Sequence, residues 1–316
     1  MTQPAPTPKS WGPGVLPDGR VRFRLWAPAE EKVTLVANGW KILMQAGDDG
    51  WHTVETSLVQ TGDTYNFRLS DGTEVSDPAS HAQEGGVEGP SVLVRHDTHV
   101  WRNTDWGGRA WEEAVVYEMH VGTFTPEGTF RAAIDRLPHL GHMGITAIEL
   151  MPVAHFAGRR GWGYDGVLHY APHTAYGTPE DLKALIDAAH GHGIMVLLDV
   201  VYNHFGPVGN MLPRIAPAFF HPERHTPWGS ALAFEREPVR RYFIENALHW
   251  LVEYRFDGLR FDATEQVIDD SERHMLIELA ETVREALPHR PVHLVVEDQA
   301  SRKSLLNRDG GIVHHY

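Results

Sequence analysis

The sequence predicts an all-β sandwich followed by an α/β domain with a parallel sheet. From 11 to 98, short alternating segments are separated by turn signals such as "PDG" and "GDDG", a spacing typical of antiparallel sandwiches. From 113 to 316, apolar runs alternate with helix-like segments, which indicates βα units. Residues 1–10 are rich in Pro and Thr and are predicted to be a disordered tail, and 99–112 a linker.

Each predicted element has its own signal. Polar and apolar residues alternate in four predicted strands of the first part, at 21–28, 32–37, 51–58 and 64–70. In the second part, strands are predicted at 114–122, 145–152, 194–201, 254–265 and 292–298, and helices at 129–144, 178–193, 237–254 and 271–287. The helix at 178–193 is the best delimited, because Thr178 suits the N-cap, Pro179 the first position and glycines the end.

Composition and charge limit the classes of protein that fit. Of the 316 residues, 42% are hydrophobic and 22% are charged, so a full apolar core is expected. The absence of cysteine excludes disulfides and thiolate nucleophiles. No segment approaches the ~20 apolar residues of a membrane span, and a formal charge of −14 disfavours nucleic acid as a partner. We therefore expect a cytoplasmic protein that binds neither membranes nor nucleic acid.

The parallel sheet has two candidate architectures. A closed βα-barrel has its reactive face at the carboxyl ends of its strands, and a doubly wound sheet binds ligands at its switch point. Polar residues follow the predicted strands at His120, Glu149, Asp199, Asp262 and Glu297. Five predicted strands are fewer than the eight of a closed barrel. No GxGxxG follows the first strand, so no dinucleotide cofactor is expected.

Charged residues interrupt the apolar strand "YRFDGLRFDATE" at 254–265. Residues two apart share one face of a strand, so Arg260 and Asp262 project together. A buried ion pair rarely gains stability over apolar residues, and paired ionisable groups cluster in sites, so a functional pair is favoured over a structural one. Asp257, at the start of this strand, is expected to be a turn or cap residue.

A second carboxylate, Glu297, ends the next predicted strand. If the two strands are neighbours, Asp262 and Glu297 can reach one cleft, and two carboxylates flanking a glycosidic bond are the minimum equipment for glycoside hydrolysis. Arg260 is expected to keep Asp262 ionised, as a nucleophile requires. Glu297, in a more apolar setting, is expected to hold its proton and act as the acid.

Three motifs carry a family resemblance. "DVVYNH" (199–204), "GLRFDA" (258–263) and the Glu of "VVED" (295–298) resemble, in order, the signature regions of the α-amylase clan of glycoside hydrolases, family 13. The segments 116–130 and 159–182 look most like the trehalohydrolases of that clan that act on maltooligosyl trehalose, with glycogen branching enzymes as close relatives. The resemblance implies a (β/α)8 TIM barrel, of which this chain holds about five strands, preceded by an immunoglobulin-like glycan-binding sandwich.

The resemblance also implies roles for individual residues. Asp262 would be the nucleophile and Glu297 the general acid/base, while Arg260 would orient the nucleophile. Asp199 would hydrogen-bond Arg260, His204 would contact the sugar in the reacting subsite, and Tyr164 would stack on that sugar. Asp165 and His173 would either touch substrate or support the loop. Asn203 would be structural. The implied substrates are maltooligosyl trehalose and related α-glucans, with neither metal nor cofactor.

The clan uses a third carboxylate that follows a histidine near strand seven. Downstream of Glu297 no residue fits this role, because Asp298 is adjacent and points the other way, and Asp309 lies in a glycine turn. We therefore expect either that the sequence belongs to a longer chain that supplies this acid, or that its architecture is not a full barrel.

Three other functions remain open. One is branching, in which a sugar hydroxyl replaces water. A second is a metal-dependent barrel hydrolase, which is disfavoured because the first strand ends in the single His120 and "HGHG" (190–193) ends a helix on the wrong side. The third is α-glucan binding without catalysis.

Overall fold

The computed structural model describes residues 9–306 and 314–315. The predicted tail at 1–10 therefore lies outside the described residues, except for Lys9 and Ser10. Lys9 forms an ion pair with Glu253 at 2.5 Å, and the Ser10 amide donates a hydrogen bond to the Glu245 carboxylate at 2.8 Å. These two residues are thus held against the α/β part of the chain.

The amino-terminal part contains nine short strands. They are β1 (Gly14–Val15), β2 (Val21–Trp26), β3 (Thr34–Ala37), β4 (Trp40–Leu43), β5 (Gln45–Ala46), β6 (Trp51–Thr56), β7 (Thr64–Arg68), β8 (Glu74–Val75) and β9 (Ser91–Val92). One antiparallel sheet has the order β1-β2-β6-β5, and the other has the order β4-β3-β7-β8 with β9 also on β7. The sheets face each other through apolar side chains, and the Phe23 and Tyr65 rings lie 4.8 Å apart. The four predicted strands are confirmed as β2, β3, β6 and β7.

The second part is built on a parallel sheet. Its strands are β10 (Val116–Met119), β11 (Ala147–Leu150), β14 (Met195–Val200), β17 (Gly258–Phe261), β18 (His293–Val296) and β19 (His314–His315). They pair in sequence order and all in parallel. The five predicted strands are confirmed, and β19 is an additional one. Each new strand joins the same edge, as in a barrel, whereas a doubly wound sheet reverses direction. Among the described strands the sheet does not close.

Two antiparallel hairpins and seven helices surround this sheet in the described residues. The hairpins are β12 (Ala154–Phe156) with β13 (Gly166–Pro172), and β15 (Phe220–Thr226) with β16 (Gly229–Leu232). The helices are α1 (Val121–Phe124), α2 (Phe130–Ile134), α3 (Leu137–His142), α4 (Pro179–Gly191), α5 (Leu212–Ile215), α6 (Glu237–Leu248) and α7 (Met275–Ala286). None of these helices is both long and apolar enough to span a bilayer.

The predicted helices are confirmed, except that one of them is divided into two. The segment 129–144 forms α2 and α3 and not a single helix, because Pro138 lacks an amide hydrogen and occupies the start of α3. Helix α4 begins as predicted, with a capping box in which Thr178 and Asp181 bond each other's backbone amides. Helix α6 continues into a π-helical turn, His249–Glu253. Asp257 precedes β17, is fully buried and accepts hydrogen bonds from Trp106 and His190.

Candidate active site

Strand register brings the predicted acids to one end of the parallel sheet. Asp199 of β14 lies directly beside Arg260 of β17, and Phe261 lies beside Val296 of β18. The backbone ladder then continues past the strands, since the Glu297 amide donates a hydrogen bond to the Phe261 carbonyl at 3.0 Å. Asp262 and Glu297 are therefore neighbours at the carboxyl ends of adjacent strands.

The Arg260 guanidinium binds three carboxylates. Its Nη1 lies 2.8 and 2.9 Å from the two oxygens of Asp199 and 3.1 Å from Oδ1 of Asp262, and its Nη2 lies 2.8 Å from Oε2 of Glu297. The Asp199 side chain is 0% exposed, Arg260 12%, Asp262 14% and Glu297 39%. The planar fork of arginine suits this role, because its donors can serve several carboxylates at once. Asp262 and Glu297 therefore lie close together, as predicted, because both carboxylates contact the same guanidinium.

Burial is the largest influence on the pKa values of the two aspartates. It raises the pKa of Asp199 to about 7, although Arg260 and the Tyr164 hydroxyl both lower it. Burial also raises the pKa of Asp262, against the opposing effects of Asn203 and Arg260. The Arg260 contact favours the ionised form of Asp262, as predicted, and burial opposes it; the ionised state of Asp262 itself stays a prediction. Burial lowers the pKa of Arg260, but the surrounding carboxylates raise it by more, so its positive charge is secure.

Glu297 is the most accessible of the three acids. Its Oε2 accepts hydrogen bonds from Arg260 and from the Ala263 amide, the latter at 3.1 Å. The expectation of a more apolar setting is therefore wrong, because the chain after β18 opens towards solvent and the carboxylate meets a guanidinium. Thr264 holds the Glu297 carbonyl through its amide and its hydroxyl, both at 2.8 Å.

The turn after Asp262 has an unusual backbone that serves this contact. Ala263 has φ of +42°, in the left-handed region that residues with a Cβ seldom adopt. This conformation directs the Ala263 amide towards Glu297, at the cost of local strain. Strain of this kind occurs most often in functional sites, where surrounding contacts enforce it.

A second layer of side chains fixes the acids. The Tyr164 hydroxyl donates to Asp199 at 2.9 Å, and the Asn203 amide donates to the Asp262 carboxylate at 3.1 Å and to its carbonyl at 2.7 Å. His204 donates from Nε2 to the Tyr164 carbonyl at 3.0 Å. Asn203 thus contacts the predicted nucleophile directly, which is more than the structural role assigned to it from the sequence.

Two predicted substrate residues lie apart from the carboxylates. Asp165 is exposed beside Tyr164. Burial lowers the pKa of His204, and the negative charge of Asp165 opposes that shift. His173 is buried; its ring stacks on Phe156 at 3.8 Å, and its Nδ1 lies 3.3 Å from that of His155. These contacts are compatible with support of the loop, and substrate contact by either residue remains a prediction.

One aromatic residue of the site was not predicted. Trp228, in the turn between β15 and β16, is half exposed and stacks on His204 with ring centroids 4.7 Å apart. The two rings border a groove of about 360 Å³ that Phe205 and Phe220 also line. An aromatic wall suits the apolar face of a sugar. Only the residue type in "HTPWGS" could have suggested it, since the hairpin itself has no clear sequence signal.

The fold and the carboxylate cluster define the class. Parallel βα units with acids of adjacent strands on one arginine indicate an α-amylase-type glycoside hydrolase domain, and residues 65–213 match the sequence profile of the α-amylase catalytic domain. The chain is 48% identical over 271 residues to the malto-oligosyltrehalose trehalohydrolase of Deinococcus radiodurans, covering 85% of this chain and 45% of the relative. The corresponding enzyme of Saccharolobus solfataricus is 41% identical over 272 residues, covering 85% and 48%.

A solved structure agrees with these sequence matches. A candidate α-amylase from Salmonella typhimurium is 56% identical and superposes with a TM-score of 0.94, covering 97% of this chain and 53% of that one. The chain is therefore a homologue of the malto-oligosyltrehalose trehalohydrolases and carries part of an α-amylase catalytic domain. It spans about half the length of the relatives it matches.

Proposed function

We propose that the site belongs to a retaining glycoside hydrolase that cleaves the α-1,4-glucosidic bond next to the trehalose end of maltooligosyl trehalose and releases trehalose. The observation that carries this proposal is the shared arginine, because one guanidinium holds Asp262 and Glu297 at the end of adjacent strands. The likeness to the trehalohydrolases supports the choice of substrate. Related α-glucans are proposed as further ligands.

The reaction divides between the two acids. Ionised Asp262 attacks the anomeric carbon while Glu297 protonates the departing glycosidic oxygen, so the glycosidic bond breaks as the glycosyl-enzyme bond forms. Glu297, now a carboxylate, then takes a proton from water, whose oxygen attacks the anomeric carbon and frees Asp262. Since Oε2 of Glu297 faces Arg260 and Ala263, Oε1 is the oxygen that would carry the proton.

Arg260 and its partners have positioning roles in this proposal. Asp199 fixes Arg260, Arg260 and Asn203 fix Asp262, and Tyr164 and His204 line the reacting subsite, with Asp165 and His173 as candidate outer contacts. Retention requires the two carboxyl groups to be ~5–5.5 Å apart with substrate bound. A separation of ~9 Å in a complex would indicate inversion instead.

We also propose the larger architecture of which this site is a part. The described strands would belong to a closed (β/α)8 barrel that begins near residue 113, after a linker at 99–112 and an immunoglobulin-like sandwich at 11–98. Their sequential parallel order supports the barrel. A cytoplasmic location stays a prediction from the lack of cysteine.

The decisive experiment measures trehalose release from maltooligosyl trehalose by the whole protein that contains this sequence. We expect Glu297→Gln to lower the rate by about 10²–10⁴-fold, because general acid–base catalysis contributes that much. Asp262→Asn should lower it at least as far. Glu265→Gln is the matched control, since Glu265 lies three residues after Asp262 and accepts a hydrogen bond from the Gln299 amide.

Three outcomes contradict the proposal. Full activity of Glu297→Gln would contradict the assignment of Glu297 as the general acid. New α-1,6 branches on amylose in place of trehalose would identify a branching enzyme. Binding of maltooligosaccharide with no turnover by the parent protein would identify a glucan-binding protein.

Activity that persists in a chelator is expected, because the mechanism uses no metal ion.

A further inference from the structure

Two buried histidines and one partly buried histidine meet at the junction of the two parts of the chain. His81 lies between β8 and β9, His96 follows β9, and His249 begins the π-helical turn after α6. One ring nitrogen of each residue lies within 4.8 Å of one from each of the others. This cluster, called here the junction histidines, plays no part in the glycosidase mechanism.

Two of these side chains are already spaced like ligands of one ion. His81 Nδ1 lies 3.3 Å from His96 Nε2, which is longer than the usual nitrogen hydrogen bond. Two imidazole nitrogens at ~2.0–2.1 Å from a tetrahedral zinc ion are roughly 3.4 Å apart. The observed spacing therefore fits joint coordination at least as well as a hydrogen bond.

The third histidine has the hydrogen bond that ligating histidines usually have. His249 Nε2 donates to the Tyr170 carbonyl at 3.0 Å, which leaves Nδ1 as a lone-pair donor. That Nδ1 is buried without a hydrogen-bond partner among the described residues. Metal-binding histidines commonly donate their second nitrogen to a backbone carbonyl, which fixes the tautomer and the ring orientation. An unused buried lone pair would otherwise cost stability.

Metal binding requires neutral imidazole rings, so the charged groups around the cluster bear directly on this site. Two cations face the cluster. Lys9 is paired with Glu253, and Lys183 donates to the His96 carbonyl at 2.7 Å.

The positive charge of Lys183 would disfavour a metal cation nearby, but neighbouring acids partly offset it. Glu180, Glu253 and Asp97 all act on the Lys183 ammonium as nearby negative charges. Tyr254 is the other polar neighbour: its ring lies 5.3 Å from those of both His96 and His249, and its buried hydroxyl has no partner among the described residues.

We propose that His81, His96 and His249 bind one divalent transition-metal ion of the zinc class. Three imidazoles suit zinc, copper, nickel and iron, and a tetrahedral zinc ion would have one position left for water or for Tyr254. The ion would link the segments before and after β9 to the end of α6, so its role is structural. Binding to the folded state alone stabilises that state.

Diffraction at the zinc absorption edge tests the location directly. Crystals of the whole protein are grown with equimolar Zn²⁺, and the anomalous difference map is expected to show a peak between the junction histidines. A map with no peak there, or with peaks only at other histidines, overturns the proposal. This outcome needs no variant and therefore does not depend on the folding of one.

A solution titration supplies the matched comparison. Chelator-treated protein is titrated with Co²⁺, and we expect one equivalent to produce the visible bands of a four-coordinate site, to be displaced by Zn²⁺, and to raise Tm. His96→Gln should weaken binding by more than the ~10–100-fold that loss of an outer partner costs. His155→Gln, which alters another buried histidine pair, should bind like the parent. Equal binding by His96→Gln and the parent would contradict the assignment.

Discussion

At the scale of single residues, one guanidinium holds three carboxyl groups. Arg260 contacts Asp199, Asp262 and Glu297, so its loss would leave buried carboxylates without a counter-charge. Breaking a buried ion pair by removing one partner typically costs about 3–5 kcal/mol, whereas a substitution that keeps the charge costs less. Arginine is required here for its geometry, since a lysine has a single nitrogen with which to bind.

Arg260→Lys tests that geometric role. We expect kcat/KM of the whole protein for maltooligosyl trehalose to fall by about 10²-fold, because a lysine cannot position both acids. Loss of the direct bond should also raise the pKa of Asp262, so the acid limb of the pH profile moves to higher pH. Arg131→Lys, at an exposed arginine that pairs with Asp181, should leave the profile unchanged. A lower Tm with an unmoved acid limb would indicate a purely structural role.

At the scale of elements, the segment between β8 and β9 forms a buried polar network. Ser76 donates to the Gly89 carbonyl at 2.7 Å, and Ser80 donates to Gln83 at 2.8 Å. Within it Asp77 accepts from the Tyr65 hydroxyl and the Ala79 amide, both at 2.8 Å. These polar groups can be buried because they have hydrogen-bond partners within the segment or on β7.

Asp77 makes the stability of this segment dependent on pH. Burial raises its pKa to about 6, whereas an unfolded aspartate has a pKa of about 3.9. The folded state therefore binds the proton more tightly, and the free energy of unfolding should fall as pH rises from about 4 to about 6, by roughly 3 kcal/mol at most. Above about pH 6 this contribution is constant.

Urea unfolding between pH 4 and pH 7 measures the effect. The side chain introduced by Asp77→Asn stays neutral, so the free energy of unfolding of this variant should lack the part of the decline with pH that Asp77 causes. The difference in free energy of unfolding between variant and parent should therefore change between pH 4 and pH 7. Asp48→Asn changes an exposed acid between β5 and β6, so its curve of unfolding free energy against pH should run parallel to that of the parent. Parallel curves for Asp77→Asn and the parent would contradict the assigned burial effect.

The sequence predicted a secondary-structure element well where the signal came from neighbouring residues. The boundaries of α4 follow from Thr178 and Pro179 alone. The strand β4 was missed because its mostly exposed edge lacks alternation. The Arg260–Asp262 pair follows from the two-residue period of a strand, but the bonds from Arg260 to Glu297 and from Asn203 to Asp262 depend on strand register and loop paths. Those contacts between distant segments have no local signal.

At the scale of the whole molecule, aromatic packing joins the β-sheets to the α/β part. Trp11 is 1% exposed and lies with its ring 4.9 Å from Trp51 on one side and 5.1 Å from Tyr242 on the other. Its indole donates to the Pro238 carbonyl at 2.8 Å, and Tyr242 donates to the Pro78 carbonyl at the same distance. One continuous apolar core therefore contains residues of both parts, so we expect both to unfold in one transition.

Trp11→Ala should uncouple the two parts. Truncation of a buried tryptophan costs about 3–5 kcal/mol, and here the lost contacts are those that connect the sheets to α6. Calorimetry should show one transition for the parent and two, or a broadened one, for the variant. Trp40→Ala is the control: this tryptophan is 54% exposed on β4, so its loss should change stability by no more than about 0.5 kcal/mol. A single sharp transition for Trp11→Ala, merely shifted to lower temperature, would show that the remaining junction contacts suffice to couple the two parts.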